Sequence, residues 1–469
     1  MATTGSATAA RRGANTELGL LVLALLVVLV AAALVELSQQ PDIPDAVINY
    51  GAGFLALAVV AHIAKRRLAP GSDRLILPIA VLLNGLGLVM VRRLDFTGAE
   101  DAVQWAPNQT MWSAVAVAAF VLTLWLVRDH TAFDDYRYLI GLGSLLLLLT
   151  PLLPVIGREI NGARIWLSIG GLSFQPVEAV KLGFVIFFAS YLAEKRDVLA
   201  VATSRIGPIM LPPLRAFAPV LGIWVLGLAV LGLQNDLGPT LLLFGVFIVM
   251  LYIGTGRLAY PVVGLLLAAV GAVFAYQSFG HVQSRVAIWL DVWSRYDGDG
   301  FQLAQSLFAI GTGGIAGVGL GQGQPAFIPF VRTDFIFSGF AEEAGLIGAT
   351  GMLLCFVLLI GRGFRIAMRA RDEMGALLAA GLTTILALQV FIIIAGATRL
   401  IPLTGITLPF VSYGGSSLLS NYVLIALLAR ISAPGIPRRT RRRGADHDDL
   451  DDLDDQPDSE ASPVAGERS

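Results

Sequence analysis

Residues 376–397, ALLAAGLTTILALQVFIIIAGA, form a run with no charged side chain and a single amide, Gln389. A bilayer's hydrocarbon core is about 30 Å thick and takes roughly 20 apolar residues to cross as a helix. This run therefore reads as a membrane span. The same ruler carried outward predicts eleven more, at about 18–37, 47–64, 75–91, 111–127, 138–156, 177–193, 216–233, 239–254, 258–279, 336–361 and 408–431. The seventh and eighth are separated only by Asn235-Asp236-Leu237-Gly238. The expected fold is an all-α polytopic membrane protein of about 12 transmembrane helices.

Composition agrees. Of 469 residues, 56% are hydrophobic and 14% charged, against about 25% charged in a soluble domain. Mean hydropathy is +0.74. These values argue against a nucleic-acid binder, whose basic patch needs a solvated domain. One cysteine, Cys355, argues against a disulfide-stapled module and reads as a small core residue.

Basic residues set the expected topology. With the N-terminus inside, 24 Lys and Arg fall in inner segments (Arg430, at the inner end of the last span, among them) and 8 in outer ones, leaving Lys181 deep within a span. Both termini are then cytoplasmic. The first apolar run is long and no clear cleavage site follows it, so it reads as a retained helix. The organisation expected is a cytoplasmic segment (1–17), two N-terminal helices (18–74), a core (75–431) and a disordered cytoplasmic tail (432–469). In the tail, Arg438–Arg443 is a basic run suited to anionic lipid. Asp446–Glu460 is acidic and lacks aromatics.

One connection is long. Residues 280–335, expected outside, combine an amphipathic stretch (Phe301–Ile310), a glycine-rich stretch (Gly311–Gly323) and several charges. A loop of this length in a compact protein is usually functional. No Walker loop is present, and Gly317-Val318-Gly319-Leu320-Gly321 follows no strand, so no nucleotide cofactor is expected. The four His (His62, His130, His281, His447) are scattered, with no zinc spacing.

Charges within spans cost at least ~2.5 kcal/mol each at the bilayer centre, so each needs a reason. Glu178 and Lys181 share a helix face, either as a neutralising lock or beside a substrate headgroup. Glu342 and Glu343 are either interface anchors or site residues. Asp334 closes the long loop in Arg332-Thr333-Asp334-Phe335-Ile336-Phe337. It reads as a helix N-cap or, at the mouth of a membrane cavity beside Arg332, as an acid-base group. Asp236 at its short turn reads as a cap, a helix-terminus anchor or a second carboxylate. Arg164, Arg285, Arg332 and Arg399 are candidates for gripping a diphosphate, because guanidinium forks match phosphate oxygens. Arg92 and Arg93 read as interface anchors. With no closed ligand set, a divalent metal (Mg or Mn) is expected only as a passenger on a substrate diphosphate.

Four segments carry a resemblance. Phe174-Gln175-Pro176-Val177-Glu178-Ala179-Val180-Lys181 is similar to the F-Q-P-x-E-x-x-K segment of the FtsW/RodA/SpoVE (SEDS) family. Asn235-Asp236-Leu237-Gly238 resembles its x-D-L-G turn. Thr333–Phe337 followed by Glu342–Gly348 resembles T-D-F-I-F…E-E-L-G-L-I-G. Leu408–Ser417, which contains Ser412, resembles L-P-x-x-S-Y-G-G-S-S. The segments stand in family order and the resemblance covers about 75–431.

The resemblance implies a peptidoglycan glycosyltransferase that polymerises lipid II on the outer face of the bacterial cytoplasmic membrane, with a class B penicillin-binding protein as partner. It maps the catalytic carboxylate onto Asp334, the charged pair onto Glu178 and Lys181, and an arginine beside an aromatic onto Arg164 and Trp166. Within the family the chain most resembles the actinobacterial RodA branch, whose role is elongation; Gly162-Ala163-Arg164-Ile165-Trp166 has Ile where division-type members tend to carry a second Arg. Val177 and Ala344 depart from the family's usual Ser and Leu, and the two N-terminal helices are additions to a ten-span pattern. A flippase of lipid-linked sugars, a septal polymerase and a non-catalytic scaffold are the alternatives.

Overall fold

The computed structural model describes residues 2–39, 45–96, 104–154, 156–160, 162–169, 172–200, 204–206, 209–211 and 214–434. Of the tail expected at 432–469, residues 435 onward lie outside them, and Ser432 is still the last residue of a helix. Hydrophobic runs become helices in the expected order: α1 (Ala2–Gln39), α2 (Asp45–Leu68), α3 (Ile76–Asp95), α4 (Trp105–Leu126), α5 (Arg137–Leu149) and α6 (Pro176–Ala200). Next come α7 (Leu214–Leu233), α8 (Leu237–Thr255) and α9 (Ala259–Ser278). The long loop holds α10 (Gly280–Leu290) and α11 (Phe301–Gly313), and α12 (Ile336–Met368), α13 (Glu373–Ala397) and α14 (Gly415–Ser432) complete the chain. Among the described residues, nine helices are long and apolar enough to cross a membrane. The protein is a polytopic helical membrane protein.

Several boundaries differ from expectation, each for a physical reason. The fifth span, expected at 138–156, ends at Leu149, where Thr150-Pro151-Leu152 tightens into a 3₁₀ turn. Beyond it lies a small antiparallel sheet, β1 (Gly157–Ile160), β2 (Ala163–Ile169) and β3 (Leu172–Phe174). A two-stranded hairpin, β4 (Ser204–Ile206) and β5 (Ile209–Leu211), joins α6 to α7. The last helix begins at Gly415, not near 408, because Leu408–Gly414 is turn: Phe410 is left-handed (φ 66) and Ser412 Oγ accepts from Leu408 N at 2.9 Å. Residues 2–17 are helical and continuous with the first span in α1.

The largest departure is in α12, expected to run unbroken. Gly345 (φ 66, ψ −171) breaks it. A break at membrane depth frees backbone groups that lipid cannot satisfy. The glycine-rich stretch supplies the partners: Val318 N and Gly319 N donate to Glu342 O and Glu343 O, while Leu346 N and Ile347 N donate to Gly314 O and Ile315 O. Gly317 and Gly345 approach so closely that a Cβ on either would strike the other's backbone strand.

The α3, α6, α13 and α14 helices are the most enclosed, and α9 the least. At one end of the bundle a polar network joins α1, α2, α12 and α14. Lys65 Nζ donates to Glu17 Oε2 (2.5 Å) and Asp73 O (2.6 Å), Asp73 N donates to Ser432 Oγ (3.0 Å), and Arg362 Nε donates to Asp73 (2.9 Å). Both ends of the bundle's chain therefore lie at one face, and the 280–335 loop lies at the other.

Candidate active site

Asp334 is held by its backbone. Its N–H, with those of Thr333 and Phe335, turns back onto Phe330 O, and Phe330 takes φ 57 to allow this. The loop before α14 locks the turn from the other side. Ser412 Oγ donates to Thr333 O (2.5 Å) and Tyr413 N to Arg332 O (2.8 Å). Asp334 is not the helix cap: α12 starts at Ile336 behind Phe335, with no side-chain cap. Its carboxyl is thus left for other work. Burial pushes it up to about 6, against a hydrogen bond from Thr333 and the charge of Arg285.

Arg285, on α10, is fixed by two carbonyls: Nη1 donates to Leu403 O (3.2 Å) and Thr404 O (3.1 Å). The Arg285 guanidinium and the Asp334 carboxyl both approach Gly405 (φ 74), where a Cβ would touch each. Asp236 joins them electrostatically. It precedes α8 without capping it, and its Oδ2 is buried with no hydrogen-bond partner. Burial pushes Asp236 up to about 7; Arg285 opposes this and the negative charge of Glu178 adds to it. Thr404 Oγ1 and His281 Nε2 are also buried and unpartnered. Burying polar groups without partners is costly, so such atoms around a fixed cation mark a place for a polar ligand.

Glu178 links this centre to the core. Lys181 Nζ donates to Glu178 (2.5 Å) and Gln389 (3.0 Å), and Ser420 Oγ donates to Glu178 (2.8 Å). Gln389 in turn donates to Thr407 O (3.0 Å). The cluster ties α6 to α13 and α14, which favours the lock over direct headgroup contact.

The other predicted residues sit elsewhere. Arg399 spends its fork on Trp289 O (2.8 Å) and Leu290 O (2.7 Å), closing the end of α10. Arg332 lies over the Trp105 ring (5.3 Å to its centroid) and reaches Leu94 O at 3.4 Å. Ser412 is a latch, buried and used up within the protein. Glu342 Oε1 accepts from Gln324 N (2.9 Å) and Glu343 from Arg93 (2.9 Å), so both hold the loop. Arg93 is a buried loop clamp rather than an interface anchor. Arg164 and Trp166 alternate on β2, where Arg164 is exposed and pairs with Glu159 (2.9 Å). Of the predicted set, Asp334, Arg285, Asp236 and Glu178 act on one another. Sequence reading missed Thr404 and His281. His281 and Arg285, four apart on α10, carried a signal; Thr404, in a loop, carried none.

Among the described residues no group of three or more His, Cys, Asp or Glu side chains is placed to hold a metal ion.

The family model for FtsW/RodA/SpoVE, described as cell cycle protein, matches residues 73–435. The peptidoglycan glycosyltransferase RodA of Mycobacterium tuberculosis (strain ATCC 25618 / H37Rv) is 46% identical over 434 residues, 92% of each chain. That of Mycobacterium leprae (strain TN) is 45% identical over 89% of this chain and 90% of its own. Stage V sporulation protein E of Bacillus subtilis is 36% identical over 77% of this chain and 96% of its own. Among solved structures, one described as a peptidoglycan synthase complex superposes with TM-score 0.61 at 28% identity, covering 77% of this chain and 97% of that chain. The rod shape determining protein RodA of Thermus thermophilus gives TM-score 0.53 at 26% identity, covering 77% and 96%.

Proposed function

Because the chain belongs to the FtsW/RodA/SpoVE family, we infer that it is a peptidoglycan glycosyltransferase, polymerising lipid II for elongation and rod shape. The observation that carries this is the convergence of Asp334 and a fixed cation, Arg285, on Gly405, with a second carboxylate, Asp236, buried and unpartnered at the same loop end of the bundle. We place that end outside the cytoplasmic membrane and both termini in the cytoplasm, following the basic-residue bias.

Asp334 acts as general base. A carboxyl near 6 is mostly ionised at neutral pH yet more basic than a free one, which suits proton abstraction. The acceptor's sugar 4-hydroxyl gives its proton to Asp334 as its oxygen bonds to the donor's anomeric carbon. The bond from that carbon to the diphosphate breaks, polyprenyl diphosphate leaves, and the centre inverts. Charge grows on the leaving group, so Arg285, already held by two carbonyls, stabilises the transition state without reorganising. Asp236, whose Oδ2 is buried without a partner, would hold a divalent metal (Mg or Mn) carried on the diphosphate, and the metal would supply further positive charge there. A class B penicillin-binding protein is the partner that would crosslink the strands.

The test is polymerisation of lipid II by purified protein, read as glycan chains on a gel, alone and with that partner. Polymer from wild type and none from Asp334→Asn supports the assignment. No polymer under any condition, with lipid II crossing vesicles in a leaflet assay, overturns it in favour of transport.

A further inference from the structure

The helix pair α1–α2 lies before the residues the family model matches, which begin at 73. The match to the Mycobacterium tuberculosis relative is longer than the chain from residue 73 to its end, so it reaches into this pair. What the pair does is written at the outer end of α3, where three consecutive residues reach three different ways. Arg92 Nε donates to Glu36 of α1 (2.9 Å), whose carboxylate is 2% exposed. Arg93 donates to Glu343 of α12 (2.9 Å) and to Gly323 O (2.8 Å). Leu94 O accepts from Arg332 (3.4 Å), two residues before Asp334.

α1 closes this circuit directly. Gln39 Nε2 donates to Gly321 O at 2.7 Å, and Gly321 N donates to Glu343 Oε2 at 2.8 Å. Gly321 (φ 83) approaches α1 so closely that a Cβ would strike the Ser38 hydroxyl. Below it, α1 packs closely on α3, where a Cβ on Gly85 would strike Val28 of α1. The loop segment Gly321–Gln324 is thus gripped from α1 on one side and from Arg93, Glu342 and Glu343 on the other.

We infer that α1 is a brace for the loop that carries Asp334, with Glu36 and Gln39 as positioning residues. Its activity readout rests on the polymerase reading above; its structural readout does not.

The experiment uses the full chain in nanodiscs: wild type, Gln39→Glu, which keeps size but removes the donor, and Gln39→Lys, which restores a donor. Hydrogen–deuterium exchange is followed in peptides spanning 319–326 and, as a control, in α6 and α13. Polymerisation of lipid II gives kcat and KM separately. Gln39→Glu is expected to speed exchange at 319–326 by about fivefold, the scale of one hydrogen bond. It should lower kcat several-fold with KM and melting temperature unchanged, and Gln39→Lys should restore both. Unchanged exchange at 319–326 in Gln39→Glu overturns the brace, as does a loss that Gln39→Lys leaves unrepaired. If wild type makes no polymer, the polymerase reading fails, and exchange alone decides on the brace.

Discussion

At the scale of single residues, Asp334 and Arg285 make a linked prediction. A base must be ionised, so kcat/KM should rise with pH through about 6, the value to which burial pushes Asp334. Arg285 holds that value down, so Arg285→Gln should move the ascending limb to higher pH, as well as lowering the plateau. Asp334→Asn should lower the rate by about 10²–10⁴-fold with melting temperature unchanged. Initial rates across the range check the limb, and a limb unmoved in Arg285→Gln would break the link. Lys181 belongs to a different class. Its pairing with Glu178 is buried, and losing one partner of such a pair strands a charge at about 3–5 kcal/mol. Lys181→Met should therefore depress the melting temperature sharply, and adding Glu178→Leu should recover most of the loss. A metal carried on the diphosphate gives a further expectation: a chelator slows polymerisation but leaves the melting temperature of substrate-free protein unchanged.

At the scale of elements, the broken helix α12 and the glycine-rich stretch are one structure in two sequence segments. Gly345 sits at φ 66, ψ −171, a region open essentially to glycine alone, where a side chain costs roughly 1–3 kcal/mol, and its missing Cβ makes room for Gly317. Gly345→Ala should lower the melting temperature by more than Gly351→Ala, whose Cβ would meet open space on the same helix. Equal effects would mean that the break is not what the glycine serves. This junction also shows where sequence reading stops. Length and hydropathy predicted the helices because burial in lipid demands them. They predicted α12 as unbroken because a single Gly in an apolar run looks like any other. The break is visible only once Gly314–Gly319 lies alongside to accept and donate. The same limit applied to charges. Asp334, Asp236 and Arg285 stand out in the sequence by residue type and position, but so do Arg399 and Ser412, whose polar atoms the structure turns onto the protein's own backbone.

At the scale of the whole molecule, the two faces of the bundle divide its work. One carries the ion pairs that gather α1, α2, α12 and α14 around Asp73. The other carries the loop, its brace and the carboxylates. Glycan polymerisation on the outer surface requires the second face to look outward, as the threefold excess of basic residues on the opposite segments predicts. A single cysteine decides it. With Cys355 replaced by Ala, Phe327→Cys places a thiol on the loop face and Met368→Cys places one at the far end of α12; both parent side chains are well exposed. On intact cells a membrane-impermeant maleimide should label Phe327→Cys and not Met368→Cys, and permeabilised cells should label both. The reverse pattern would put Asp334 on the cytoplasmic side. It would then face the leaflet where no glycan strand is built, and the same carboxylates and fixed arginine would have to be read as the inner gate of a transporter.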